Sequence, residues 1–284
     1  RRQRQMCIRD RFFAIALATV AALGRRDFHQ PLVLVATADE ETSMAGARAL
    51  ADGQAFQGRY AVLGEPTALR PAHLPKGVMM ERIRLLGRSG HSSDPSLGRN
   101  ALDGMHRVLG ALMAERQSWL QRYRHPGFVI PHPTLNLGHI HGGDNPNRIC
   151  GECELHFDVR LLPGMDPEDI RAQLHARAEA ALADTDLTLE FLPLFDGLPP
   201  METPATSPLV TVAASLTGQE PGAVAFGTEG PYYRRMGMDT VILGPGNIEQ
   251  AHQPNEYLAL DRVAPMMKIL EALIIRFCLT PATA

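Results

Sequence analysis

The sequence predicts an α/β protein: a domain built on a mostly parallel sheet, interrupted by a smaller α+β domain of ferredoxin-like order. Three observations predict it. Continuous apolar runs alternate with helical patterns at both ends of the chain, the texture of a parallel sheet covered on both faces. The middle instead reads strand, helix, strand, strand, helix, strand. The 284 residues, 45% apolar and 21% charged, suffice for two ordinary domains of globular composition. The expected boundaries give residues 1–77 and 197–284 to the interrupted domain and 78–196 to the insert.

The first helix is expected over 12–23, where Phe12, Ile15, Leu17, Val20 and Leu23 lie among good helix formers. The run 32–37 reads as a buried strand, followed by a helix over 45–51 and a strand over 60–64. Late in the chain the texture returns, with a strand over 240–244 and a closing helix over 265–278. In the insert, strand 79–86 precedes a long helix carrying Leu102, Met105, Leu109, Leu112 and Met113. Strands 134–140 and 153–161 follow. Asp166 then suits an N-cap and Pro167 the first position of a helix repeating Ile170, Leu174, Ala178 and Ala181. Strand 187–193 closes the set.

Composition excludes several functions. A net charge of −3 gives no reason to expect nucleic acid or an anionic membrane as partner. The longest apolar run, 12–23, is too short to span a bilayer, so a soluble, cytoplasmic protein is expected. Cys7, Cys150, Cys153 and Cys278 are too few and too scattered for a disulfide scaffold. Cys150 and Cys153 open an alternating stretch, where positions three apart face opposite sides, so the pair reads as structural.

Three apolar runs end in metal-ligating residue types. The first leads into Asp39-Glu40-Glu41, the second into Glu65, and the third, through Gly244-Pro245-Gly246, into His252. Ligands of open α/β sheets bind beyond the carboxyl ends of the strands, so carboxylates and an imidazole are expected at one edge. Such mixed donors suit zinc, cobalt or manganese. The residues alone leave two readings of Glu40 and Glu41. Either one binds metal while the other faces water as general base, or both cap the next helix against its dipole. Gly87-Arg88-Ser89-Gly90-His91 lacks the final glycine of a nucleophile elbow and lies in the insert, which argues against a serine hydrolase. The sequence has no dinucleotide-binding glycine motif and no phosphate-binding loop.

These motifs, in this order, resemble the M20 metallopeptidase and deacylase family, and within it the acetylornithine branch. The matching stretches are Thr37-Ala-Asp-Glu-Glu-Thr-Ser-Met-Ala-Gly46, Gly64-Glu-Pro-Thr67 and Gly90-His-Ser-Ser-Asp-Pro-Ser-Leu-Gly98. Further on come Asn147-Arg-Ile-Cys150, Phe157-Asp-Val-Arg160, Gly227-Thr-Glu-Gly-Pro231, Gly244-Pro-Gly246 and Ala251-His-Gln-Pro-Asn-Glu-Tyr257. The Gly-Glu-Pro-Thr and His-Ser-Ser-Asp-Pro forms favour the acetylornithine branch over the succinyl-diaminopimelate desuccinylases.

The resemblance implies a zinc-peptidase-like catalytic domain interrupted by a lid and dimerisation domain. It implies Glu40 as general acid/base, with Glu41, Glu65 and His252 as metal ligands. It implies His91 as the histidine offered across a dimer to the oxyanion. Asn147 and Arg160 would hold the substrate, Arg160 by a bidentate grip on its α-carboxylate, and Thr228 and Gly230 lie in the loop closing around it. Without the resemblance, His91 reads as a solvated turn histidine and Arg160 as half of a surface ion pair. The implied cofactor is zinc, two ions per site, or cobalt. The implied reaction removes the acetyl group from N-acetyl-L-ornithine, giving L-ornithine and acetate, a step of arginine biosynthesis. The implied partners are a small N-acyl amino acid and a second copy, a homodimer formed through the insert. The alternatives are another deacylase or a dipeptidase of the family, and a non-catalytic dimerising module.

The departures carry expectations of their own. The family's H-x-D and D-M-K-G motifs precede the helix that opens here at Phe12; Ile8 falls where the bridging aspartate belongs, and Asp10 is two positions out of register. Residues 1–11, with five arginines, imitate a secretory front end, and MCIRDR resembles adapter read-through. They are expected to be foreign, joined to a chain whose first sheet strands and two ligands are lost and whose solubility is therefore poor. Pro75 stands where relatives carry a histidine before Lys-Gly.

Overall fold

The computed structural model describes residues 8–40, 42–251 and 253–281. The chain divides into two compact units, one from residues 1–75, 201–224 and 228–284, the other from 76–200 and 225–227. Among the described residues, no helix is long and apolar enough to cross a membrane.

In the first unit, helices α1 (Ile8–Leu23) and α2 (Ala45–Asp52) precede strands β1 (Tyr60–Leu63) and β2 (Ala72–Pro75). The chain returns to this unit, after β3–β6 and α3–α4 of the second, with α5 (Pro208–Thr217), β7 (Gly222–Val224), α6 (Gly230–Arg235), β8 (Asp239–Ile242) and α7 (Val263–Ile274). The strand order is β1-β8-β2-β7. β1 runs parallel to β8 and β2 parallel to β7, while β2 meets β8 antiparallel. Strand alternation sends neighbouring residues to opposite faces. Tyr60, Val62, Val241 and Leu243 accordingly pack on α1, α5 and α7 through Ile15, Leu209, Met266 and Leu270. Ala61 and Leu63 pack on the other side with Tyr233 of α6. Each such aliphatic side chain taken from water stabilises by about 1.5–3 kcal/mol.

Two expectations fail here. Among the described residues the run 32–37 has no strand pairing, and Val33 is 52% exposed. An apolar run becomes a strand only where neighbouring backbone pairs with it, and β1 is bonded among the described residues to β8 alone. Conversely, β2 and β7 were not expected from their residues, yet β2 lies inside the sheet. α1 begins ahead of Phe12, and Leu17 points outward, 49% exposed. The expectation of foreign sequence at 1–11 falls mainly on residues 1–7, outside the described residues.

The second unit follows the expected order: β3 (Gly77–Leu86), α3 (Ala101–Arg122), β4 (Thr134–Gly142), β5 (Glu152–Leu161), α4 (Pro167–Leu182), β6 (Thr188–Leu198). The sheet order β4-β5-β3-β6, antiparallel throughout, is the ferredoxin-like arrangement. Asp166 caps α4, its side chain accepting the Glu168 and Asp169 N–H groups, with Pro167 at the first helical position. The buried stripe of α4 is Ile170, Leu174, Ala178 and Leu182, the last in place of the expected Ala181. On α3 the buried face is Met105, Val108, Leu112, Glu115 and Trp119, whereas Leu102 and Met113 are exposed. Glu115 is 3% exposed and accepts from Trp119 Nε1 (3.1 Å), Arg122 Nη1 (2.8 Å) and Arg177 Nε (2.9 Å), which locks α3 to α4.

Candidate active site

In the first unit Glu40 follows the run 32–37, Glu65 follows β1, and Thr228 and Gly230 follow β7. The turn carrying Glu40 is tightly wound. Asp39 takes a left-handed φ of 60°, which Asp tolerates better than most residues. Its carbonyl accepts the N–H groups of Thr42 (3.2 Å), Ser43 (3.0 Å) and Met44 (2.7 Å). The turn then folds back on its own start: a Cβ on Gly46 would lie 2.6 Å from the Ala38 nitrogen, so only glycine fits. Before the turn, Thr37 Oγ1 donates to Glu229 Oε2 at 2.9 Å, a bond across 192 residues of sequence.

Glu65, immediately beyond the Leu63-Gly64 end of β1, is 7% exposed. The loop after β8 is laced to it. Leu69 N–H donates to the Gly244 carbonyl (2.8 Å), Ala68 N–H to that of Gly246 (2.7 Å), and Gly244 N–H to Thr67 Oγ1 (3.1 Å). Gly244 approaches so closely that a Cβ there would lie 2.2 Å from the Glu65 carbonyl oxygen. The ends of β1 and β8 thus form one rigid corner carrying a buried carboxylate. A carboxylate at such a strand end is a donor type that a divalent metal accepts. Glu41 and His252, the remaining expected ligands, lie outside the described residues. Among the described residues, no three His, Cys, Asp or Glu side chains converge as a metal-holding group.

Thr228 is fully buried and its hydroxyl accepts the Gly230 N–H at 3.1 Å, so it caps α6. Gly230 opens that helix, pressed against Met201. Glu229 between them is 9% exposed. Its charge adds to burial in pushing the Tyr233 hydroxyl, one helical turn on, up to about 12.

In the second unit His91 lies in an exposed turn. Its Nδ1 accepts the Ser93 N–H at 3.3 Å and lies 2.8 Å from Ser93 Oγ. An Nδ1 that accepts leaves Nε2 to carry the proton of the neutral ring. The outer nitrogen is therefore a donor, the form an oxyanion requires. The turn is bound to the Asn147 loop: Ser92 N–H donates to the Asn147 carbonyl (3.0 Å) and Ile149 N–H to that of Gly90 (2.8 Å). His91 and Asn147 are therefore brought together.

Arg160 is not brought to them. It lies near the far end of β5, in register with Thr134 and Val78, and its Nε meets Asp158 Oδ1 at 3.0 Å. The eight steps along β5 from Glu152 to Arg160 cover about 27 Å. Near Arg160, Lys76 is buried and donates to the carbonyls of Ile130 and His132, both at 3.0 Å. Burial, then the Arg160 charge, lowers its pKa. Cys150 and Cys153 are buried: Cys150 Sγ donates to the Glu152 carbonyl at 2.9 Å, and burial pushes the Cys153 thiol up to about 11.

The peptidase dimerisation domain of the M20 family matches residues 75–186. An acetylornithine deacetylase of Aliivibrio fischeri is 44% identical over 267 residues, covering 94% of this chain and 70% of the relative. The chain belongs to the M20 family, in its acetylornithine deacetylase branch. Another such deacetylase, from Edwardsiella ictaluri, is 45% identical over 94% of this chain and 69% of its own. Among solved structures, aminopeptidase PepT of Bacillus cereus shares the M20 fold at a TM-score of 0.66 and 20% identity, over 84% of this chain and 62% of its own. Human carnosine dipeptidase 1 does so at 0.59 and 16%, over 83% and 64%. The chain therefore spans about two thirds of the length of these M20 proteins.

Two residues at this site have no role in the sequence reading, Thr37 and Glu229. Both lie inside motifs already singled out. A lone carboxylate between the small residues Thr228 and Gly230, just ahead of a helix, is the signal that points to Glu229.

Proposed function

We propose that the protein is a metal-dependent amidohydrolase that releases acetate from N-acetyl-L-ornithine. The observation that carries this reading is the rigid corner holding buried Glu65 at the ends of β1 and β8, in a chain 44% identical to an acetylornithine deacetylase. Glu41, Glu65 and His252 are the residues proposed to hold zinc, two ions per site, or cobalt. When bound, such a cation acidifies water and polarises the acyl carbonyl.

The chain's own residues do the rest. Glu40 accepts a proton from the attacking water as its oxygen bonds to the acyl carbon. His91 Nε2–H, supplied by the second copy of a homodimer, donates to the oxyanion that develops. As the carbon–nitrogen bond breaks, Glu40 hands its proton to the departing α-amine. Arg160 holds the substrate α-carboxylate by exchanging its Asp158 contact for a bidentate one, and Asn147, Thr228 and Gly230 shape the surrounding loops. The dimer is proposed to form through the second unit, and the cytoplasm and arginine biosynthesis are its proposed setting.

The test is acetate release from a panel of N-acyl amino acids by the zinc-supplemented protein, with Glu40→Gln beside it. The variant should keep its metal and lose about two to four orders of magnitude in turnover. Near-normal turnover removes Glu40 from the role. Preference for a succinyl group or a dipeptide moves the substrate assignment, and dimerisation without any hydrolysis favours a non-catalytic module.

A further inference from the structure

Glu40 sits in a turn that is tied to distant chain segments. In an α/β sheet, the carboxyl end of a strand is held by its ladder, and the catalytic turn inherits that rigidity. Among the described residues 32–37 pairs with no strand, and two other contacts hold the chain entering the Asp39-Glu40 turn. One is the close approach of Gly46, at the start of α2, to Ala38. The other is the Thr37–Glu229 hydrogen bond, which ties the turn to the rest of the first unit.

Glu229 is well placed for that task. The Thr228 hydroxyl takes the capping duty at α6, and the Glu229 side chain makes no capping bond of its own. Its carboxylate instead receives the Thr37 hydroxyl. α6 is itself held by Tyr233, which packs on Leu63 at the end of β1, two residues before Glu65. One short helix therefore couples the turn bearing Glu40 to the strand end bearing Glu65.

Resting on the reading above, we propose that Glu229 is a positioning residue for Glu40, acting through the Thr37 hydroxyl. Its role is to orient the base, with no direct part in the reaction. It holds the 37–44 turn so that the base stays at a fixed distance from the Glu65 corner.

The test uses the full chain and two readouts. The first is amide hydrogen exchange at Thr42, Ser43 and Met44, whose N–H groups bond to the Asp39 carbonyl. Thr37→Val, which keeps shape and removes the donor, should speed exchange at these amides about ten- to a hundredfold, the range for losing one charge-assisted hydrogen bond. Thr37→Ser should restore it, and amides of β8 and α7 should not change. The second readout is steady-state kinetics with metal content: Thr37→Val and Glu229→Ala should each lower kcat about ten- to a hundredfold with KM and bound metal unchanged. The double variant should be no worse than either single one.

Unchanged exchange at 42–44 in Thr37→Val overturns the proposal, as does faster exchange spread over β8 and α7, which marks a merely structural role. Additive losses in the double variant overturn it too. Glu40→Gln run in parallel separates the two readings. If that variant is inactive while Thr37→Val matches the wild type, positioning fails and the base stands. If it is active, the base assignment itself falls.

Discussion

Substituting Gly244 by alanine should damage fold and site together. The new Cβ would lie 2.2 Å from the Glu65 carbonyl oxygen, 3.0 Å from the Glu65 carbonyl carbon and 3.2 Å from that of Gly64. All three are backbone atoms, so no side chain can swing away. Ordinary contact requires the β8 loop to retreat by about 1 Å, and overpacking of this kind costs about 1–3 kcal/mol. The retreat also stretches the Leu69–Gly244 bond (2.8 Å) and the Gly244–Thr67 bond (3.1 Å). At about 1 kcal/mol each, their loss brings the total to about 3–5 kcal/mol. That corresponds to a fall in melting temperature of roughly 10 °C for a protein of this size. The same retreat moves Glu65, so zinc affinity should drop at least about tenfold, the lower range for disturbing a ligand's support. Differential scanning calorimetry and competitive zinc titration measure the two effects. Gly110→Ala is the control, since its Cβ meets no atom within 4 Å. A Gly244→Ala protein with wild-type melting and wild-type zinc affinity would refute the claim that this close approach fixes the corner.

Two other perturbations address the second unit. Glu115→Ala leaves Arg122, Arg177 and Trp119 without their shared acceptor. It should cost about 1–3 kcal/mol, chiefly the buried Trp119 N–H left without an acceptor, because Arg122 and Arg177 are half exposed and regain water. Urea denaturation followed at Trp119 reads it, and a midpoint shift worth under about 1 kcal/mol would count against a locking role. Glu81, fully buried in β3, has its carboxyl pushed above the ordinary 4.5, chiefly by burial, with the Arg171 bond opposing. A folded pKa above the unfolded one means that the folded state holds the proton longer. The group's stabilising share is thus full below about 4.5 and is lost as pH rises through the folded pKa. The stability of wild type minus that of Glu81→Gln should therefore fall as pH is raised from 4 toward 7. A flat or rising difference contradicts the sign.

How much was legible depended on whether a signal was local. α4 could be read because Asp166, Pro167 and the Ile170, Leu174 and Ala178 stripe all lie within one stretch of chain. β2 could not: Ala72-His73-Leu74-Pro75 shows no alternation and carries a proline, and it is a strand only because β7 and β8 flank it. The run 32–37 erred in the opposite direction, since apolar content promises burial but cannot supply a pairing partner. At the site, spacing placed Glu40 and Glu65 after apolar runs. It could not show the left-handed Asp39 or the approach of Gly244 to Glu65, because both arise where distant segments meet. Glu229 went without a role for the same reason: its partner Thr37 is 192 residues away.

The geometry of β5 bears on how many copies the chemistry needs. His91 and Asn147 belong to one end of that strand and Arg160 to the other, about 27 Å apart along the backbone. An N-acyl amino acid is less than half that length. One copy of the second unit therefore cannot offer His91 and Arg160 to the same small substrate without breaking β5. If both residues serve one reaction, they must come from different copies, one supplying the anchor for the carboxylate and the other the donor for the oxyanion. Mixed dimers test this directly: a His91→Ala copy paired with an Arg160→Ala copy should regain one intact site, about half of the wild-type dimer's activity, while either homodimer stays impaired. Equal impairment in the mixed dimer would mean that both residues act within one copy, which the length of β5 forbids unless the sheet itself rearranges.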